Sequence, residues 1–334
     1  MTLDLTSARV LVTGGAGFIG SALVWALNRE GNSNIVVSDL LGTSEKWRNL
    51  VPLRFEDYVE ADDLLPLLEA GSLGEFDLVL HMGACSSTTE RDASYLIRNN
   101  YEYTKALCIW ALDSGTEFTY ASSAATYGDG SAGMDDDASR IERLRPLNMY
   151  GYSKQLFDLW ARREGILDEI TGLKFFNVFG PNEAHKGDMR SMVHKAFGQV
   201  QAEGKVRLFR SYSPDFADGE QQRDFVYVKD AVAIALHLAS GGWTGLYNVG
   251  SGTANTWLEL VRPVFEAMQC PEKIEFIDMP EEIRGKYQYH TLADVSRLEG
   301  TGYAGPFTPL SEAVKDYVGE YLMTGRHLGD ETGA

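Results

Sequence analysis

The chain predicts an α/β protein: a doubly wound parallel sheet over roughly residues 1–180, then a smaller α/β domain over roughly 181–334. Three observations carry this. Short, largely apolar runs recur at Val10–Val12, Ile35–Val37, Leu78–Leu80 and Phe118–Tyr120, as expected for strands covered on both faces. Polar or small-residue turns follow each run. Between the first two, Leu23, Val24, Ala26 and Leu27 have helical spacing over Ser21–Asn28. Strands that alternate with helices in this way form parallel sheets.

The second half changes character. Phe175–Val178 reads as one more sheet strand. A loop-rich stretch with Pro181, Gly187, Gly204, Pro214 and Gly219 follows. Phe225–Val228 and Leu246–Val249 then read as strands bracketing an apolar helix over Asp230–Leu238, and 224–250 is expected to pack back on the first sheet. The acidic run Asp135–Asp137 is expected in a solvated loop, and the polar tail after Gly325 is expected to fray. A binding cleft is expected between the two domains, at the carboxyl ends of the strands.

Composition excludes several functions. With 334 residues, 44% of them hydrophobic, the chain can bury a large core. No run approaches the roughly 18–20 apolar residues of a membrane helix. The first nine residues lack a basic segment leading into an apolar one, so a cytoplasmic protein is expected. Cys85, Cys108 and Cys270 are too few and too scattered for a disulfide framework or a zinc site, and the six histidines show no ligand spacing. No metal is expected. A net charge of −18 argues against nucleic acid and requires any bound phosphate to be gripped locally.

Such a grip is encoded directly after the first strand. Gly14-Gly15-Ala16-Gly17-Phe18-Ile19-Gly20 contains the G-x-G-x-x-G pattern between a buried strand and a helix. Glycines there give a tight turn and let backbone N–H groups approach a pyrophosphate, which the helix N-terminus also attracts. Asp39 ends the second strand, where a carboxylate can accept from a ribose 2′-hydroxyl. The fold is therefore expected to be Rossmann-type and the cofactor a nicotinamide dinucleotide. Asp39 favours NAD, while Lys46 and Arg48 in the next loop could meet the 2′-phosphate of NADP, and the choice stays open.

Tyr150 and Lys154 stand four apart and share a helix face. A nearby ammonium favours phenolate, so such a tyrosine can take a hydroxyl proton while hydride leaves carbon. Tyr152 has Leu156 in the corresponding place and cannot play this part. Ser122 and Ser123 follow a strand, and a serine hydroxyl at a strand end can hydrogen-bond the same oxygen.

The segments Thr13–Gly20, Ser122–Gly128 and Tyr150–Lys154 together resemble the extended short-chain dehydrogenase/reductase superfamily, with Ser123 at the catalytic hydroxyl position and Lys154 also at the nicotinamide ribose. The resemblance narrows further. His81–Glu90, Asn177–Pro181 with His185–Gly187, Arg223–Val228 and Lys286–Gln288 are similar, in order, to the ADP-L-glycero-D-manno-heptose 6-epimerases. That family oxidises C6″ of a nucleotide-linked heptose with bound NADP and returns hydride to the other face, supplying heptose for lipopolysaccharide. The resemblance implies Tyr150 and Lys186 as the two proton-transfer residues. It implies cofactor contacts from Gly14, Gly17, Phe18, Ile19, Gly20, Asp39, Leu40, Lys46, Met82, Gly83, Ala84, Cys85, Ser86, Asn99, Lys154, Val178 and Lys186. It places Ser123, Asn177, Asp188, Lys195, Phe209, Arg210, Ser211, Arg223 and Tyr287 around the sugar nucleotide, Arg223 being suited to grip the diphosphate. It also implies a homo-oligomer, a pentamer.

This chain departs from the pattern at Met82, where the family can have Glu, at Leu40, where it can have Asn, and at Lys195, where it can have His; the segment 212–222 is longer than in some members. A 4,6-dehydratase would carry Asp-Glu after the active-site hydroxyl, where this chain has Ala124-Ala125. A nucleotide-sugar 4-epimerase fits Ser123, Tyr150 and Lys154 but leaves the His185–Gly187 turn unexplained. A non-catalytic dinucleotide sensor on this fold would have no use for Tyr150 and Lys154.

Overall fold

The computed structural model describes residues 2–285, 287–305 and 307–330. Its strands are β1 (Val10–Thr13), β2 (Ile35–Asp39), β3 (Asp57–Glu60), β4 (Leu78–His81), β5 (Glu117–Ser123), β6 (Thr171–Phe175), β7 (Asn177–Phe179), β8 (Val206–Phe209), β9 (Gln222–Tyr227), β10 (Gly245–Val249), β11 (Ala254–Thr256) and β12 (Ile274–Ile277). Seven of them form one parallel sheet in the order β10-β6-β5-β4-β1-β2-β3. Its winding reverses between β1 and β4, where Thr13 pairs with His81. A crevice opens at the carboxyl ends of the strands at such a reversal, because the two following loops diverge to opposite faces.

The main helices are α1 (Phe18–Arg29), α2 (Ala61–Glu69), α3 (Ala93–Leu96), α4 (Tyr103–Asp113), α5 (Met149–Arg163), α6 (Met192–Glu203), α7 (Val228–Ser240) and α8 (Trp257–Ala267). A π-helical turn, Ile97–Glu102, joins α3 to α4. One apolar core packs α1 and α7 on the sheet and runs on into α6, α8 and the C-terminal helix Leu310–Asp316. A second packs α2, α4 and α5 on the opposite face, and a small third gathers Tyr127, Leu144, Phe176 and Ala293. Two small sheets, β11-β9-β7 and β12-β8, complete the second half.

Four expectations are corrected. Phe175–Val178 is two strands: Phe176 donates to Val249 O at 3.0 Å and the chain then turns, with Val178 N–H on Phe176 O at 2.9 Å, so β7 enters a different sheet. An unbroken apolar run conceals such a turn. Val228 opens α7 and does not extend β9. Asp136 is buried and accepts from Asn248 N–H at 2.8 Å. The tail is docked as far as Asp330: Leu328 is buried, and its N–H donates to Asn182 Oδ1 at 3.0 Å. Among the described residues no helix is long and apolar enough to cross a membrane.

Candidate active site

The turn after β1 is built from backbone at close quarters. A Cβ on Gly20 would fall 2.1 Å from Gly14 O, and one on Gly14, whose φ is +64°, would fall 2.6 Å from Gly83 N. Gly17 caps α1 without a side-chain hydrogen bond, so the helix begins with uncapped amides beside Phe18 and Ile19. Both residues line a groove of about 390 Å³ with Gly14, Gly17, Gly20, Asp39, Lys46, Met82–Ser87, His185 and Lys186. A dinucleotide fits this cradle: it offers side-chain-free backbone and an anion-attracting helix end.

Asp39 is more committed than the sequence implied. Its Oδ2 accepts from Ala16 N–H at 3.0 Å, and its Oδ1 accepts from Leu40 N–H at 2.7 Å and from Lys46 Nζ at 2.6 Å. Leu40 itself turns outward and is exposed. Asn99 does not line the groove; its amide donates to Tyr95 O. Its neighbour Asn100, not foreseen, is fully buried and accepts from Cys85 N–H (2.8 Å) while donating to Cys85 O (2.9 Å) and Ser153 Oγ (3.0 Å). It ties the Met82–Ser87 loop to α5.

A second polar chain supports the turn. Gly83 N–H donates to Thr13 Oγ1, whose hydroxyl lies 2.6 Å from His81 Nδ1; His81 Nε2 lies 2.9 Å from Thr104 Oγ1, which donates to Asn100 O. With the Thr104 hydroxyl spent on a carbonyl, Nε2 must carry the imidazole proton and Nδ1 must accept. Burial pulls the His81 pKa down to about 3 and keeps the ring neutral.

The catalytic set sits where β5 meets α5. Ser123 ends β5 and accepts from Ala125 N–H at 3.1 Å. Asn148 caps α5 through Gly151 N–H at 2.8 Å, which sets Tyr150 in the first turn. A Cβ on Gly151 would lie 2.6 Å from Ala125 O, so this glycine allows α5 to press against the Ser123 turn. Lys154 is buried and donates to Ala121 O at 2.8 Å; burial lowers its pKa to about 8. The sequence predicted a tyrosine with a depressed pKa. Burial instead pushes Tyr150 up, with a hydrogen bond to Ser123 opposing it, and the Lys154 ammonium is held on a backbone carbonyl.

Ser123 and Tyr150 open into a second cavity, of about 610 Å³. It shares Phe18, Ile19, Ser86, Lys186 and Met189 with the dinucleotide groove, so the two meet at these side chains. Asn177, Lys195, Phe209 and Tyr287, expected around the sugar nucleotide, line it, and so does Val178, which was expected at the cofactor and is not on the groove wall. Phe176, Met192, Gln199, Arg207, Phe225 and Trp257 line it too and were not foreseen. Only Trp257 had a local signal: Thr256 and Glu259 form a capping box that starts α8 at this tryptophan.

Asp188, Arg210, Ser211 and Arg223 are not on the cavity wall. Asp188 is exposed on the turn that carries Lys186. Arg210 is half exposed between Asp218 and Asp278. Ser211 N–H donates to Asp218 Oδ1 at 2.7 Å. Arg223 is buried between the rings of Trp257 and Tyr287, its guanidinium donating to Gln222 O and Gln288 O. Lys286 lies outside the described residues.

Residues 10–250 match the NAD dependent epimerase/dehydratase family. The chain belongs to that family. It is an isomerase of the nucleotide-sugar epimerase type and takes an NAD(P) dinucleotide as cofactor. Among its relatives, an ADP-L-glycero-D-manno-heptose-6-epimerase of Nitratidesulfovibrio vulgaris strain DP4 is 56% identical over 93% of this chain and 97% of its own length. One of Fusobacterium nucleatum subsp. nucleatum is 44% identical, with 94% and 98% covered. The crystal structure of the Helicobacter pylori ADP-L-glycero-D-manno-heptose-6-epimerase superposes with a TM-score of 0.80 at 27% identity, over 96% of this chain and 98% of that one. Within this epimerase family, the join between the groove and the cavity is where cofactor and sugar would meet.

Proposed function

We propose that the protein interconverts ADP-D-glycero- and ADP-L-glycero-β-D-manno-heptose by transient oxidation at C6″ and return of hydride to either face. The observation that carries this reading is the wall of the larger cavity. In a chain of net charge −18 it presents Lys186, Arg190 and Lys195, with Arg207 alongside but paired to Glu203 and Glu275, and among the described residues no carboxylate lines it. Such a wall suits a nucleoside diphosphate. The names of the 56% and 44% identical relatives supply the sugar.

Gly14, Gly17 and the start of α1 would hold the cofactor pyrophosphate, and Met82–Ser86 the adjoining part of the groove. When bound, the nicotinamide takes up and returns hydride. The chain's own residues handle the proton. Tyr150, whose phenolate the hydrogen bond to Ser123 favours, takes the hydroxyl proton at C6″, and Lys154, held on Ala121 O, stands one helical turn further along α5. Lys186 serves as the second acid/base. It reaches the same cavity from the 184–189 turn, so the ketone can be protonated from a second element. The apolar wall of Phe175, Phe176, Phe209 and Trp257 keeps water from the ketone.

We read the cofactor as NADP, with NAD as a weaker ligand. The Asp39 carboxylate is held by two amides and one N–H of Lys46, and the two further N–H donors of that ammonium, with His185, are at the groove for a 2′-phosphate. A cytoplasmic homo-oligomer, a pentamer on the resemblance, belongs to the same reading, and sedimentation checks it.

The test is to incubate purified protein with ADP-D-glycero-β-D-manno-heptose, adding no cofactor, and to separate the C6″ epimers. A mixture of both supports the reading. No conversion, even with NADP and then NAD added, removes the heptose assignment, and hexose nucleotides are assayed next for 4-epimerisation. Tyr150→Phe should lower kcat roughly 10²–10⁴-fold with cofactor still bound.

A further inference from the structure

Glu183 is a carboxylate with no exposure to solvent, one turn before Lys186. Its Oε2 accepts from Ser191 N–H at 2.6 Å and its Oε1 from Ser191 Oγ at 2.5 Å. Tyr317, in the C-terminal helical segment, adds a third hydrogen bond. Glu183 N-terminal to the turn and Ser191 just past it are thus clamped together, and the turn between them carries Lys186. Ser191 is also the N-cap of α6, through His194 N–H at 3.3 Å, and α6 delivers Lys195 to the same cavity. One buried carboxylate therefore sets both lysines against the substrate cavity.

A buried carboxylate is costly unless its charge is used, and three donors do not remove that charge. Lys186 follows three residues later on the clamped turn, its ammonium 5.1 Å from the centre of the Phe18 ring. Glu183 and Lys186 are each other's favourable electrostatic partner, while burial works against the charge on both. Of the remaining groups around them, His185 is neutral, held near a pKa of about 4 by burial and by Lys186 and Lys46. Asp39 acts on His185 from the cofactor side, and Arg190 acts on Tyr317. Tyr150 and Lys195 share the cavity wall.

We propose that Glu183 is the positioning residue of Lys186: it fixes the turn that presents the lysine and sustains its positive charge. This rests on the reading of Lys186 as a proton-transfer group. Above the point where Lys186 loses its proton, the enzyme lacks its second acid. Removing the Glu183 charge should bring that point to lower pH.

The experiment compares the wild-type holoenzyme with Glu183→Gln and Glu183→Asp. Two readouts are taken: kcat/KM against pH for heptose epimerisation, and the pH dependence of Lys186 acetylation, followed by peptide mass spectrometry without substrate. Expected for Glu183→Gln is kcat down roughly 10–100-fold with KM little changed. The alkaline limb and the Lys186 titration should both move down by about half a unit to one unit. Glu183→Asp should restore part of both. Tyr317→Phe keeps the carboxylate and should leave the Lys186 titration in place. An unmoved Lys186 titration in Glu183→Gln overturns the proposal, whether or not activity and melting temperature fall. A moved titration in a protein that does not epimerise the heptose upholds the Glu183–Lys186 pairing and overturns the epimerase reading.

Discussion

At the scale of single residues, the site is governed by which polar groups are already committed. Asp39 illustrates this. As a letter at the end of a strand it is a ribose acceptor; in the fold both its oxygens are engaged and Lys46 covers one of them. Replacing Lys46 by Ala should weaken NADP binding about 10–100-fold, or roughly 1.4–2.8 kcal/mol, and leave NAD nearly unchanged, as measured by titration calorimetry. His81 gives a second prediction. Its folded pKa of about 3 lies below the ordinary 6.5, so the unfolded chain binds the proton first. Its contribution to stability is whole above pH 6.5 and is lost as pH falls toward 3, at about 1.4 kcal/mol per pH unit. Urea unfolding between pH 7 and 4 should show this slope, and His81→Asn should flatten it while lowering stability at pH 7.

Among elements, the decisive contacts are between a helix start and a turn. α5 brings Tyr150 to Ser123 because Gly151 lets the helix lie against Ala125 O. Gly151→Ala should push the two apart, at a cost of about 1–3 kcal/mol in stability by overpacking, with a larger loss in kcat than in KM. Denaturant melts and steady-state kinetics check this. Nothing in the sequence distinguishes Gly151 from any glycine inside Tyr-x-x-x-Lys. The capping box at Thr256 and Glu259 is the contrary case: a legible helix start that puts Trp257 on the cavity wall. Arg223 marks where residue chemistry misled. A guanidinium suits a diphosphate, yet this one is spent on two carbonyls between two rings, a pairing assembled from β9, α8 and the 287–289 segment.

Across the whole molecule, the C-terminal segment supports the catalytic turn. Leu328 fills the core, and its N–H holds Asn182 Oδ1, while Asn182 Nδ2 donates to Ser21 Oγ on α1 and Asn182 O accepts from Asn49. Asn182 immediately precedes Glu183, so the tail, the dinucleotide helix and the Lys186 turn converge on one backbone segment. Leu328→Ala should cost about 2–5 kcal/mol, seen as a lower melting temperature, and should slow turnover as the turn loosens. The charge pattern also belongs to this scale: a chain of net charge −18 encloses a cavity whose charged wall residues, among the described ones, are all cationic, which neither composition nor any local window reveals.

The parallel sheet, the glycine turn and the Tyr150–Lys154 pair were readable from residue order alone. Each depends on local periodicity or on a spacing within one strand, turn or helix. The break at Phe176, the burial of Asp136 and Leu328, the choice of Asn100 over Asn99 and the Glu183 clamp were not readable. Each is settled by partners distant in the chain, such as Val249, Asn248, Asn182, Cys85 and Tyr317. A polar side chain's role depends on whether its hydrogen-bonding capacity is already spent, and only the packed fold determines that.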